Sequence, residues 1–509
     1  MFRSRMAGNA GSSSNYKAQE FPEGFAWLNA EKPLSMAGLK GHVVVLDFWT
    51  YCCINCMHTL PTLDWLEKKY RGQPVVFIGV HSAKFFNEQQ AQNVQEAIGR
   101  YEIGHPVVVD QEMKIWRSYG VTAWPTIVIV DPKCNVVYQQ AGEGQRDELD
   151  DVIGVLLERH RAAGTLAKEP IEIGHPKQAQ KRVLSYPGKL AFSPDGRMLA
   201  ISDSNHNRVL VVDIESGNLV HKVGGTARDL RDGSFEEARF FRPQGLAWAG
   251  DRIIYVADTE NHALREIDIS AKTVRTLAGD GRQGAWISGA QDGKMTQLSS
   301  PWDLAYSDGF LFIAMAGLHQ IWAYHIESGK IGPFAGSGYE NIVDGSFSEA
   351  QFAQPSGLSI YGNFLLVADS EVSAVRLLDF SKKTVQTVVG EGLFEFGFKD
   401  GPLAWARLQH PLGVHCAGNK IYVADTYNHA VRLIDLDTQQ VSTVVGRAAA
   451  DKAMMMCRID DPACDTLGLF EPSDVKQKGN TLYIADTNNH LVRMFDLDKM
   501  VLKTLAIKE

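Results

Sequence analysis

Val43-Val44-Val45-Leu46-Asp47-Phe48-Trp49-Thr50-Tyr51-Cys52-Cys53-Ile54-Asn55-Cys56 is the stretch that decides the N-terminal half of this chain. The run Val43–Trp49, broken only by Asp47, reads as a strand buried on both faces. Closely spaced cysteines stand at its end, and a helical pattern follows. A thiolate is the nucleophile of thiol–disulfide exchange, and the free N–H groups of a helix N-terminus stabilise its negative charge. A second cysteine three residues on lies one helical turn away. Two pairs are open on spacing alone. Cys53-x-x-Cys56 has redox-motif spacing, whereas Cys52-x-x-x-Cys56 offers two ligands to a soft metal such as Cu(I), with His81 or His105 as a third.

The wider context favours the redox pair. Pro61 follows Cys56 by five residues, and Ala123-Trp124-Pro125-Thr126 precedes a second apolar run, Ile127-Val128-Ile129-Val130-Asp131. Together these motifs resemble the thioredoxin superfamily, in particular its redoxin-like members. The resemblance implies an α/β thioredoxin-like domain in which Cys53 attacks and Cys56 resolves. It implies that Pro125 is a cis proline, with Trp124 and Thr126 lining a substrate groove. It also implies that Asp47 is the buried acid that moves a proton from the resolving thiol. Cys52 stands where that family usually has tryptophan, so it is an auxiliary thiol without a counterpart. Thioredoxin-like folds also serve as inert docking modules, which is the blander reading of the same residues.

The chain has 509 residues, a net charge of −9 and 45% hydrophobic residues. That length implies more than one domain. The negative charge gives no electrostatic reason to expect nucleic acid as a partner. No stretch has the length of a membrane-spanning helix. Residues 1–19 read as a disordered leader without the apolar core of a secretory signal. A cytoplasmic location is therefore expected, and there a C-x-x-C is a chemical rather than a structural feature. Cys134 falls at a turn, Cys416 in a strand pattern, and Cys457 and Cys464 flank an irregular insertion.

The second half repeats itself. Ala257-Asp258-Thr259-Glu260-Asn261-His262-Ala263-Leu264-Arg265 recurs from Ala424 to Arg432 and from Ala485 to Arg493, with looser copies at Ala368, Ser202 and Ala314. Anchored on Asp203, Asp258, Met315, Asp369, Asp425 and Asp486, the intervals are 55, 57, 54, 56 and 61 residues. Each unit carries four strand signals separated by turn dipeptides such as Gly250-Asp251 and Gly418-Asn419. Four-stranded units cannot bury their faces alone, and radial stacking solves that problem. The reading is an all-β six-bladed propeller, and the repeated signature resembles the NHL-repeat family. A second motif, from Asp232-Gly233 to Pro243, from Asp344-Gly345 to Pro355 and from Asp400-Gly401 to Pro411, joins successive units. In an up-and-down meander it shares one face with the Asn-His turns.

The expected organisation is a leader over 1–19, a redoxin-type domain over 20–162, a linker over 163–181 and the propeller over 182–509. The repeated histidines are expected to stabilise turns rather than form a metal ring. Arg265, Arg376, Arg432 and Arg493 are expected to pair with acids of the neighbouring blade, and each Asp to cap its own loop. The functional expectation is a thiol–disulfide oxidoreductase without metal or cofactor, whose propeller loop face holds a protein substrate or partner. The alternative is a non-enzymatic scaffold or redox-sensing protein whose propeller binds a partner. A propeller hydrolase with a metal in its channel ranks last, because no converging set of acids and histidines is evident.

Overall fold

A computed structural model describes residues 16–171, 182–446 and 468–508, in two compact units divided between Gln180 and Lys181. Most of the expected leader, much of the expected linker, and Cys457 and Cys464 with their insertion lie outside the described residues.

The first unit is a six-stranded mixed sheet with helices on both faces, in strand order β1-β4-β3-β2-β5-β6. Its elements are β1 Trp27–Leu28, β2 Val43–Trp49, α1 Ile54–Lys69, β3 Val75–His81, α2 Ala91–Tyr101, β4 Val107–Val109, α3 Lys114–Ser118, β5 Thr126–Val130, β6 Val136–Ala141 and α4 Arg146–Ala162. β2 lies between parallel β3 and antiparallel β5, so every one of its residues is buried. Val44, Leu46 and Phe48 face a core completed by Ile115, Trp116 and Tyr119. Val43 and Val45 face α1 and α4 through Leu63, Leu66, Leu149 and Ile153. Asp47 shares that second face by the two-residue period of a strand.

The second unit is the six-bladed propeller. Its blades span Pro187–Gly224, Leu246–Ala278, Pro301–Ala335, Pro355–Val389, Gly413–Gly446 and Pro472–Thr504, each a four-stranded antiparallel meander. Blades two to five gain a two-residue fifth strand on the outer edge, contributed by the Asp-Gly motif that precedes the blade. The turn glycines Gly250, Gly362, Gly418 and Gly479 have φ of +55° to +66°, a left-handed conformation open to glycine. A hydrophobic cluster fills each gap between successive blades, including that between the sixth and the first, where Leu190, Leu199 and Leu210 meet Tyr483, Ala485 and Val492. Among the described residues no early strand is borrowed to close the ring; the four strands of each blade are continuous in sequence, and Lys508 bridges Asn218 at the outer edge of the first blade.

The turn after each second strand grips the next blade. Asn207, His262, His319, Ser373, His429 and His490 all have φ between +47° and +58°. Their side chains accept the amides of Arg242, Ser300, Gln354, His410, Glu471 and Tyr186 at 2.9–3.1 Å. Each donor immediately precedes the proline at the start of the following blade or its lead-in. Ser204, Thr259, Ser370, Thr426 and Thr487 donate hydroxyls at 2.7–2.8 Å to the carbonyls of those same prolines. The histidines expected to stabilise their own turns thus tie each turn to the next blade.

The arginines depart from expectation. Arg265 pairs with Asp258 of its own blade (2.7 Å) and with Asp232 (3.0 Å), whose segment joins the outer edge of that same blade. Arg376 and Arg432 repeat this with Asp369 and Asp344, and with Asp425 and Asp400. The antiparallel register pairs Arg265 with Val256, two residues before Asp258, so the Asp and Arg of one blade lie diagonally on one face of its sheet. The repeated Asp also does more than cap its loop. Asp258 takes the Asn261 amide group of its own turn and the backbone amide of Phe241 from the incoming connection. In blade three Met315 and Trp322 replace the pair, an apolar substitution of the kind that buried ion pairs tolerate when both partners change.

Arg432→Leu leaves Asp425 buried without its guanidinium and is expected to cost about 3–5 kcal/mol, read as a lower urea midpoint for the propeller. The double variant Asp425→Met/Arg432→Leu, patterned on blade three, is expected to recover more than half of that loss.

Candidate active site

Cys53 caps α1 with an extended backbone (φ −80°, ψ 116°), and its carbonyl accepts the amides of Cys56 (3.1 Å) and Met57 (3.2 Å). Its thiol is half-buried, whereas Cys52 and Cys56 are buried. α1 has no acid in its first turn, and Cys53 stands at its N-terminus. The Cys56 thiol is raised well above its ordinary range. Burial is the largest cause; a hydrogen bond with the Cys53 sulfur and the charges of Cys53 and Asp47 act in the same direction. One thiol is thus presented to a partner and the other holds its proton one turn behind.

Asp47 lies on the α1 face of the sheet with both carboxyl oxygens buried and without hydrogen-bond partners. Burial lifts its carboxyl to about 7, with His105 pulling it down and Glu67 pushing it up. His105 donates or accepts through Nδ1 to Glu67 Oε1 at 2.7 Å. The sequence reading weighed His105 only as a metal ligand and did not consider Glu67. The signal that could have found them is Gly79, a lone glycine inside a strand, which marks a close approach.

The peptide bond Trp124–Pro125 is cis. Phe48 pairs with Thr126 in the antiparallel register, which sets Pro125 beside the end of β2 from which the cysteines follow. Trp124 is half-buried against Trp116 (centroids 4.5 Å) and donates its indole N–H to the Ser82 carbonyl at 3.0 Å. Thr126 is buried, and its hydroxyl is engaged within the loop on the Ala123 carbonyl at 2.7 Å. The Cys52 amide donates to Glu88 Oε1 at 2.9 Å, while Glu88 Oε2 accepts the amides of Lys84 and Phe85. This buried carboxylate fixes the approach to the cysteines and holds Cys52 inside.

The soft-metal arrangement is not assembled. Among the described residues no three His, Cys, Asp or Glu side chains converge as a ligand set. His81 ends β3, stacked on Tyr51 and edge-on to Trp49, and burial lowers it to about 3. On the propeller axis, Lys189 approaches Asp303 (3.7 Å) and donates to Ser473 and Leu412 carbonyls, and Lys476 meets Asp474 at 3.1 Å. Each of these acids therefore has a lysine beside it. No helix among the described residues is long and apolar enough to cross a membrane.

Comparison with known proteins agrees with this division. A thioredoxin-like family matches residues 41–136, and an LVIVD repeat family matches residues 471–492 in the last blade. Protein SUPPRESSOR OF QUENCHING 1, chloroplastic, of Arabidopsis thaliana is 44% identical over 94% of this chain and 46% of its own length. The human NHL repeat-containing protein 2 is 39% identical over 96% of this chain and 71% of its own length. The thiol-disulfide oxidoreductase ResA of Bacillus anthracis is 29% identical over 119 residues, 23% of this chain and 66% of its own length. The chain therefore spans less than half of the Arabidopsis protein.

An acid whose folded pKa lies above its unfolded value weakens the fold as pH rises. For Asp47 the effect is absent below the ordinary 3.8, grows through the interval to about 7, and is constant above it. Asp47→Asn is expected to leave stability unchanged near pH 4 and to raise it by on the order of 2–4 kcal/mol at pH 8, measured by thermal unfolding across that range.

Proposed function

The chain belongs to the family of NHL repeat-containing protein 2, and on that premise we propose that its thioredoxin-like unit exchanges thiols with disulfides of a protein substrate. The observation that carries this reading is the asymmetry of the pair: a half-buried Cys53 at a helix N-terminus and a buried, proton-holding Cys56 behind it. Cys53 attacks a substrate sulfur, a mixed disulfide forms, and Cys56 displaces the substrate by attacking Cys53. Cis-Pro125 and Trp124 border the docking groove, and Asp47 receives the Cys56 proton. Cys52 takes no part, because its sulfur is buried beneath the approach.

The propeller serves as the protein-binding platform. Its inter-blade connections carry Trp286, Tyr339, Phe394 and Trp405, each 60–73% exposed. Such aromatics are characteristic of interaction surfaces. The connections share a face with the Asn-His turns, to which they are bonded: Asn261 donates to the Asp229 carbonyl and Asn428 to that of Gly397, both at 2.7 Å. A cytoplasmic location suits the reaction, since reducing pools regenerate the dithiol there; fractionation with an antibody to the chain tests that placement.

The thiol chemistry is tested by glutathione redox titration with the bridge mapped by mass spectrometry. A reversible Cys53–Cys56 bridge is expected in wild type and in Cys52→Ser, and none in Cys53→Ser. Cys56→Ser is expected to accumulate mixed disulfides with protein substrates. If no reversible bridge forms at any poise, the exchange reading is wrong and the chain is an interaction protein.

A further inference from the structure

Behind the cysteine pair lies a line of polar side chains that disulfide exchange at Cys53 does not by itself require. His105, in the loop leading into β4, has its side chain 5% exposed, and its Nδ1 is 2.7 Å from Glu67 Oε1. Glu67 stands on α1 about three turns beyond Cys56, and its side chain is 27% exposed. The other ring nitrogen, Nε2, occupies the space left by Gly79: a Cβ there would lie 3.2 Å from Nε2 and 2.9 Å from the Trp49 indole nitrogen. Gly79 pairs in register with Asp47 across parallel β2 and β3, so the imidazole edge and the Asp47 carboxyl flank one gap. Both Asp47 oxygens, His105 Nε2 and Trp49 Nε1 are buried and without hydrogen-bond partners. Unpaired buried polar atoms are costly, and several in one place call for a functional reason.

We propose that Asp47, His105 and Glu67 form a proton path between the buried Cys56 thiol and solvent, with His105 as its positioning and relay residue. The proposal rests on the exchange reading above. As the mixed disulfide resolves, Cys56 gives its proton to Asp47 and its sulfur attacks the Cys53 sulfur. The Cys53–Cys56 bond forms, and the bond to the partner breaks. The partner sulfur leaves with the electron pair and takes a proton from water. Asp47 passes its proton to Nε2 of neutral His105, whose Nδ1 proton moves to Glu67 and out. When an external dithiol reduces the Cys53–Cys56 disulfide, the path runs inward: Glu67 reprotonates Nδ1, and Nε2 returns a proton through Asp47 to the Cys56 thiolate. The ring recovers its starting tautomer over one full cycle without rotating.

The titratable groups around the path are few. α1 supplies Cys53, Cys56 and Glu67, and β2 supplies Asp47. β3 places Gly79 at the gap and His81 two residues on against Trp49, where burial keeps it neutral. β4 presents apolar Val107. His105 itself is raised: burial opposes its charge, but the Glu67 hydrogen bond and the charges of Glu67 and Asp47 outweigh it.

The test is single-turnover stopped flow of the full reduced chain with a fluorogenic peptide disulfide, from pH 5 to 9. Attack by Cys53 gives a first phase and resolution by Cys56 a second. In His105→Gln the second phase is expected to slow about tenfold or more at pH 7, with its pH profile displaced to the alkaline side, while the first phase stays within about twofold. Glu67→Gln, altered at a partly exposed position, is expected to slow the second phase by a smaller factor and without the alkaline displacement, because the Glu67 charge pushes Asp47 up rather than down. Wild-type resolution rates and an unchanged profile in both variants overturn the path. If His105→Gln does not fold, a second phase at the wild-type rate in Glu67→Gln alone overturns it. A wild-type chain with no second phase overturns the exchange reading and the path with it.

Discussion

A backbone amide held by a side chain from the preceding blade is the interaction on which the propeller depends. Six times the residue before a proline donates to a left-handed Asn, Ser or His at the end of the previous blade's turn. Proline has no N–H of its own, so the chain entering each blade relies on its neighbour for anchorage. The sixth such bond, from Tyr186 to His490, joins the last blade to the first. It gives the ring a closure that needs no exchanged strand. The hydroxyl bonds to the proline carbonyls add a second tie at most of the same junctions, and blade three, with Ala316 in place of the hydroxyl, meets blade four through Asp303, which accepts the Leu358 amide at 2.8 Å.

Within most blades the buried Arg–Asp pairs raise a different question of energy. Burial pushes the Asp369 and Asp486 carboxyls up to about 6 despite their arginines, which shows how strongly desolvation opposes these pairs. Blade three dispenses with the pair and keeps the same four-stranded form. Attraction is therefore not what the fold requires there. What the guanidinium adds is a set of bonds to the Asp-Gly connection, and in blades four and five that connection carries the exposed Tyr339, Phe394 and Trp405. Rigidity of the loop face is the outcome.

The thioredoxin-like unit applies the same physics to reactivity. A fully buried strand delivers its last residues to the end of α1, so the position of Cys53 is fixed by the sheet rather than by a mobile loop. Glu88 secures the Cys52 amide, and Ser82 receives the Trp124 indole, which ties the two walls of the site to one segment after β3. One turn of helix then separates a half-buried sulfur from a buried one. The difference in burial sets the two thiols apart, with the Cys56 thiol raised well above its ordinary range.

Much of this is legible in the chain alone. A run of buried-type residues ending in cysteines, and a turn signature recurring six times, determine the two folds because local patterns of period two and of about 56 residues leave few ways to bury apolar faces. The left-handed glycines and the Asn-His turns follow from local backbone chemistry and were readable for that reason. The partners of the arginines were not. They depend on cross-strand register, and the sequence interval to the neighbouring blade gives no measure of distance. Nor was the grouping of Asp47, His105 and Glu67, which lie 20, 38 and 58 residues apart pairwise and meet only because parallel pairing sets Gly79 beside Asp47. The sequence by itself determined which elements form and which residues could be chemical; the tertiary structure decided which of those residues meet, because burial and charge act through space rather than along the chain.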